Sequence, residues 1–383
     1  MEFDASQKAA IDLALTGRDC LISGGAGTGK TTIIQEIARA KEATGGSVIC
    51  APTGKAAARL KEATGYFAQT IHRLLGWTGE DFIGKPEPIH SPVIIDEASM
   101  VDSWLLAKVL EANPPQVVLV GDSAQLPPVG KGQPFHDLLR LRPQRAANLT
   151  TCYRSQAAVH HAAQKIRNGE APEIHAEGGG ETWHMEEHID ANAITTRVVE
   201  LIRSGWLNPK TDIVLSPKHG AGEENDGGIL AINKAIMGEC NPHDDGESWK
   251  EGDRVIMTKN FGPDDLWNGD LGTISDIGWD GLPWVTLDRQ REKGPAKLKK
   301  DQIRELKHAW CLSVHKSQGS QFRRVVVVCL KEHRFMLTRS LIYTAVTRTR
   351  EQCYVLGHLG AFYNGINRVD ERRTVLQAVG GLI

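Results

Sequence analysis

The chain has 383 residues, 40% of them hydrophobic and 24% charged, with a formal net charge of −2. That length supports two or three packed domains of ordinary globular composition. The near-neutral balance excludes a bulk polycation, so any surface for a polyanion has to be a local patch offset by acids elsewhere.

The candidate patch is the basic run over 289–307, with Arg289, Arg291, Lys293, Lys297, Lys299, Lys300 and Arg304; a solvated face is the alternative. The acidic run over 170–190, with Glu173, Glu177, Glu181, Glu186 and Glu187, is its counterweight. The seven cysteines form no C-x-x-C pair and read as free thiols, mostly in apolar runs, in a reducing cytosol. His184 and His188 are four apart, but the intervening Met-Glu-Glu makes no zinc-protease motif, and the segment reads as a solvated loop. There is no signal peptide and no apolar run long enough to span a bilayer, which predicts a cytoplasmic protein without membrane contact.

In chain order, residues 20–23 form a short strand, a Gly-rich turn follows, and the pattern predicts a helix over 30–43. Strands over 47–51, 92–95 and 116–120 alternate with helices, the first over 54–62. The same texture returns over 212–216, 324–328 and 353–356. Unbroken β-branched strands separated by helices predict α/β domains with parallel sheets covered on both faces, joined near residues 141–148. Short strands over 252–258, 272–275 and 284–288, with Asn268-Gly269 as a turn, predict a small antiparallel barrel inserted in the second domain. The turn-rich stretch 76–91 reads as a small insertion in the first domain.

Residues 24–31, Gly-Gly-Ala-Gly-Thr-Gly-Lys-Thr, fit G-x-x-x-x-G-K-[ST] between a strand and a helix. Glycines let such a loop wrap phosphates so that backbone N–H groups and the helix N-terminus face the anion. Gly25, Ala26, Gly27, Thr28, Gly29 and Thr32 would line the cradle, Lys30 would reach the β- and γ-phosphates, and Thr31 would hold Mg²⁺. The apolar strand ending in Asp96-Glu97 supplies a second metal ligand in Asp96 and a water-activating base in Glu97. Gln125, after the next strand, offers an amide to the γ-phosphate and the attacking water. Arg348, placed on a helix before the last strand, and Arg154 are candidates to neutralise transition-state charge.

Together these motifs resemble the superfamily 1 helicases, and within them the RecD-like and Dda-like 5′→3′ DNA helicases of superfamily 1B. The resemblance runs from about Gln7 to Arg350. It rests on Gln7, the phosphate loop, and residues 51–56, 70–74, 96–99, 121–128, 153–154, 314–319 and 345–348 in that order. It implies two RecA-like P-loop NTPase domains, with a first domain over 1–143 and a second over 144–249 and 308–383. An SH3-like barrel over 250–307 and a short pin over 76–91 are the implied insertions. It implies ATP and Mg²⁺ as cofactors, Gln7 as the adenine contact, and Arg154 and Arg348 as the γ-phosphate arginines. Pro52, Thr53, Thr70, His72, His315, Lys316, Ser317 and Gln318 would line a single-strand track. Short hydroxyl, amide and basic groups suit a phosphodiester backbone without reading sequence; Thr70 and Ser317 as helix caps, and His72 as a buried histidine, are the alternatives.

The implied activity is ATP-dependent, 5′→3′ translocation on single-stranded DNA with duplex unwinding. A translocase that displaces proteins with little unwinding, an RNA helicase and a non-hydrolytic nucleotide-gated binding module are the rival readings. The implied partners are single-stranded DNA, single-strand/duplex junctions and replication or single-strand-binding proteins, with the chain acting as a monomer. Two features depart from the RecD-like pattern: the pin is short, and Tyr153-Arg154-Ser155 resembles the Dda-like form. With no extension before Gln7, the compact layout is similar to phage-encoded helicases.

Overall fold

The structure, a computed structural model, describes residues 3–77, 86–152, 157–188, 190–217, 228–244, 248–370, 372, 374 and 376. It divides into two compact units, residues 1–155 with 370–383, and residues 156–369.

The first unit holds six parallel strands: β1 (Cys20–Gly24), β2 (Val48–Ala51), β3 (Ala68–Thr70), β4 (Val93–Ile95), β5 (Val117–Gly121) and β6 (Ala146–Leu149), in the order β3-β2-β4-β5-β1-β6. Their side chains alternate between two cores. Ile22, Ile94, Val118 and Val120 join the core beneath the helices Ala5–Leu15 and Lys30–Glu42. Leu21, Val93, Ile95, Val117 and Leu119 join the core beneath the helix Ser103–Glu111. Both faces are covered, which is why these strands read as unbroken apolar runs. Ile33, Ile34 and Ile37 make the buried stripe of the helix Lys30–Glu42; each contributes roughly 1.5–3 kcal/mol by its burial.

The division expected at 143/144 falls too early. β6 lies beyond it and pairs in parallel with β1, so the first unit continues through 155. The short run Ala-Ala-Asn-Leu has little strand propensity of its own; the open edge of β1 recruits it. The end of the chain also returns to this unit rather than the second: Arg372 donates to the Pro128 carbonyl at 2.7 Å and Thr374 to the Asp137 carboxylate at 2.6 Å.

The second unit carries β7 (His175–Gly178), β8 (Glu181–Glu187) and β9 (Ile213–Leu215), then the insertion strands β10 (Arg254–Met257), β11 (Leu271–Ile277), β12 (Pro283–Leu287), β13 (Ala296–Lys297) and β14 (Leu306–His308). It ends with β15 (Cys311–Leu312), β16 (Phe322–Cys329) and β17 (Thr349–Gly357). One sheet runs β15-β9-β16-β17-β8-β7, parallel except that β7 closes its edge antiparallel to β8. His184 lies on β8, not in a solvated loop. Its ring meets Tyr354 edge-on at 4.6 Å, and burial, then the neighbouring His175, lowers its pKa.

The insertion is an antiparallel sheet ordered β13-β12-β11-β10-β14 around Val255, Met257, Ile274, Val285 and Leu306. Gly272 is required there, because a Cβ would stand 2.8 Å from the Thr286 carbonyl. Part of the basic run is paired with acids of this insertion. Arg289 pairs with Asp270 at 2.8 Å, Lys297 with Asp280 at 2.7 Å, and Lys299 with Asp264 at 2.8 Å. These residues therefore form a paired face rather than a free basic patch.

Candidate functional site

The parallel order of the first sheet sets the carboxyl ends of β1, β2, β3, β4 and β5 along one edge, where open α/β sheets bind ligands. The expected phosphate-site residues of this unit follow those ends. After β1, Gly27 and Gly29 take φ of 78° and 84°, left-handed values that glycine adopts without strain. Gly24 has no room for a side chain, since a Cβ would lie 2.4 Å from the Thr28 hydroxyl and 3.0 Å from Leu149. Thr28 donates to the Gly25 carbonyl at 3.0 Å, and the Lys30 ammonium arches over the loop to the Gly24 and Gly25 carbonyls at 2.7 and 2.9 Å. Thr31 and Thr32 occupy the first turn of the helix Lys30–Glu42, whose N-terminus has no side-chain cap. Its orphan N–H groups make a ready anion site.

Gln7 is buried beside the loop. Its amide donates to the Thr28 carbonyl at 3.3 Å, while its oxygen accepts from the Asp4 backbone N–H in a capping box. Cys152 lies 3.7 Å from the Ala26 carbonyl.

After β4, Asp96 and Glu97 stand side by side. Burial first, and then the Glu97 charge, push the Asp96 pKa up to about 7; a hydrogen bond from the Glu97 backbone, then Lys30 and Arg59, counter only part of this. Glu97 adopts φ 51°, a strained value for a residue with a side chain, and its Oε2 is buried without a hydrogen-bond partner. Strain and an orphaned carboxylate oxygen coincide at this one residue. After β5, Gln125 is buried and its amide faces the Asp122 carboxylate at 3.5 Å, while Ser123 reaches Ser23 of β1 at 3.4 Å.

Because folding raises the Asp96 pKa, the unfolded chain loses this proton at lower pH than the folded one. Stability tied to Asp96 is present in acid and falls as pH rises towards the folded value. Asp96→Asn should therefore raise the thermal midpoint of the ligand-free protein at about pH 8 and change it little at about pH 4. Melting curves at the two pH values check this; equal shifts at both would remove the carboxylate strain.

The track candidates are divided between the units. In the first, Pro52 is half-buried, Thr53 caps the helix Gly54–Thr64 by accepting from the Ala56 N–H, and Thr70 caps Ile71–Leu74 by accepting from Arg73. His72 is half-buried against Trp77 at 5.7 Å, and burial lowers its pKa. In the second unit, His315 is exposed and Lys316 half-buried. Lys316 lines a cavity of about 340 Å³ with Lys234, Lys307 and Trp249, and its pKa is lowered by burial and by Lys307. Ser317 is fully buried and donates to the Val314 carbonyl at 2.7 Å, so it shapes the loop from inside rather than lining a track. Gln318 is nearly buried, with its amide nitrogen unpartnered.

Arg348 lies past the helix Arg339–Val346, in the turn into β17, rather than on the helix. Thr347 is the C-cap, and the buried Arg348 guanidinium donates to the Thr344 and Ser320 carbonyls at 3.0 and 3.3 Å. Arg154 lies outside the described residues, as do 78–85 of the pin stretch. Two contributors escaped the motif reading. Arg59 acts through charge on Asp96 and signals itself only by its helix position after Thr53, while Asp122 sits inside a recognised motif without an assigned role.

A phosphate loop, paired acids and a buried glutamine on one parallel edge, followed by a second parallel α/β sheet with an antiparallel insertion, define a tandem RecA-like P-loop NTPase fold. A family model described as an AAA domain matches residues 2–182, and one described as a UvrD-like helicase C-terminal domain matches 308–356. The chain is 33% identical over 380 residues to the ATP-dependent RecD2 DNA helicase of Deinococcus radiodurans, covering 96% of this chain and 51% of that one. It is 30% identical over 423 residues to the RecBCD enzyme subunit RecD of Mycolicibacterium smegmatis, covering 97% and 74%. The chain thus spans about half the length of the first relative and about three quarters of the second. In fold it is similar to the Pif1 helicase solved in a study of unwinding at forked duplex DNA, with a TM-score of 0.59 at 19% identity, covering 97% and 95%. Bacteroides Pif1 bound to single-stranded DNA gives a TM-score of 0.56, also at 19% identity, over the same shares. The chain belongs to the RecD-like family of superfamily 1B helicases.

Proposed function

We propose that this chain is an ATP-dependent motor that moves 5′→3′ along single-stranded DNA and couples hydrolysis to duplex unwinding. The observation that carries the hydrolytic reading is Glu97: a strained backbone and a buried, unpartnered carboxylate oxygen beside a phosphate loop on the same sheet edge. Such an oxygen is placed to accept a proton from an attacking water. Gln125 would orient that water, Lys30 would exchange its loop carbonyls for phosphate oxygens, and Gln7 would meet the adenine. Arg154 and Arg348 are assigned to the γ-phosphate. Thr31 and Asp96 would hold Mg²⁺, which neutralises phosphate charge when bound. The shifted Asp96 fits that role, because two crowded carboxylates without enough nearby positive charge favour a cation. The insertion over 250–307 is read as the SH3-like element, and stretch 76–91 as the pin.

The Deinococcus radiodurans relative is named as an ATP-dependent DNA helicase, and the hydroxyl, imidazole and ammonium groups at Thr53, Thr70, His72, His315 and Lys316 suit a phosphodiester backbone. One duplex carrying either a 5′ or a 3′ single-stranded tail tests the proposal. Unwinding of the 5′-tailed form only is expected, with ATP hydrolysis stimulated by DNA oligonucleotides above RNA. Hydrolysis indifferent to single strands would overturn it.

Lys316→Ala should weaken single-strand binding and reduce the slope of log affinity against log salt by about 0.7, the share of one phosphate contact. Lys297→Ala and Lys299→Ala should leave that slope unchanged, because their charges are already matched by Asp280 and Asp264. Fluorescence anisotropy across a salt series separates the two classes, and equal slopes for all three variants would remove Lys316 from the track.

A further inference from the structure

The five-stranded insertion is rooted on a buried carboxylate. Asp253 precedes β10 and is fully buried. Its Oδ1 accepts from His243 Nε2 and Asn241 Nδ2, both at 2.9 Å. Its Oδ2 accepts from the Lys250 backbone N–H at 2.9 Å and faces His308 Nε2 at 3.2 Å. Among the described residues no lysine or arginine side chain pairs with it; the two imidazoles are its ion-pair candidates. A carboxylate buried this deeply is costly to keep charged without a cation.

The ligand atoms of His243, Asp253 and His308 all lie within 4.8 Å of one another. The three come from separate segments: His243 follows the helix Ile229–Cys240, Asp253 leads into β10, and His308 ends β14. The His308 ring is already oriented. It stacks on Trp310 at 5.3 Å and 10°, and lies 4.8 Å from Trp249. Two imidazole nitrogens and a carboxylate match a borderline divalent ion such as Zn²⁺, whereas Mg²⁺ and Ca²⁺ favour all-oxygen sets.

We propose that His243, Asp253 and His308 form a Zn²⁺ site that fastens the insertion to its parent domain. The ion would join both Nε2 atoms to the carboxylate, each neutral ring then carrying its proton on Nδ1. A fourth position remains for water. Asn241 and the Lys250 N–H stay on the carboxylate and orient it from the second layer. Bound there, the ion ties the loop after the helix Ile229–Cys240 to the bases of two adjacent strands, β10 and β14. It also stiffens His308, which helps to line the cavity holding Lys316.

The test uses the full chain, stripped with a chelator and free of nucleotide, titrated with Co²⁺ as a visible reporter and then with Zn²⁺. The expected result is a single Co²⁺ per chain with the d–d bands of a four-coordinate site, displaced by an equal amount of Zn²⁺, with a thermal midpoint several degrees higher. His243→Gln and His308→Gln, checked for folding by circular dichroism, should lose the bands. His308→Cys should restore binding with a new sulfur-to-cobalt charge-transfer band. The proposal is overturned by wild-type protein that takes up no stoichiometric metal at micromolar concentration. It is equally overturned by uptake that survives loss of both histidines, which would place the ion elsewhere, for instance at the His175 and His184 pair.

Discussion

Glu97→Gln should still bind ATP with near-wild-type affinity yet hydrolyse it at least about a hundredfold more slowly, the usual contribution of a positioned general base. The amide keeps the size of the side chain and can occupy the same strained backbone at φ 51°, so the change isolates basicity from shape. What it removes is the proton acceptor, the oxygen that has no partner in the folded chain. Steady-state phosphate release beside a fluorescent-nucleotide titration measures both quantities. Unchanged turnover would remove Glu97 as the base and leave its strain without a chemical account.

Lys30→Ala is expected to be the more severe lesion. It deletes the charge that would meet the β- and γ-phosphates, and it also deletes the two hydrogen bonds that arch across the loop to Gly24 and Gly25. A preorganised donor aimed at developing charge is worth about 10²–10³ in turnover, so kcat/KM should fall by at least that factor. Lys30→Arg should not rescue it, because a planar guanidinium cannot reproduce a compact ammonium in a loop with no spare volume at Gly24. Single-stranded DNA binding without nucleotide should persist in both variants, which separates a chemical defect from unfolding. Normal turnover in Lys30→Ala would overturn the nucleotide assignment.

The residues that carry these predictions were readable in advance for a common reason. Gly27, Gly29, Asp96 and Glu97 are constrained by backbone conformation or by burial at the end of a strand, and both constraints write themselves into a short segment. Arg348 was readable as a residue but not as a place, since helix and turn there share similar residues and Thr347 decides where the helix stops. The basic run over 289–307 is only partly legible for the opposite reason. A charge's sign is visible in sequence, whereas its partner is not, and Asp264, Asp265, Asp270 and Asp280 lie up to 35 residues away in the chain.

By itself the amino-acid order determined the alternation of buried strands and amphipathic helices, the phosphate loop, the paired acids and the presence of an antiparallel insertion. Each is a local pattern whose period or conformational demand spans a few residues. Tertiary structure alone decided that β6 and the tail at Arg372 and Thr374 complete the first unit, that Ser317 is interior, and that His243, Asp253 and His308 converge. Those outcomes depend on which edge is left open and which charge is left buried, and neither exists until distant segments have packed.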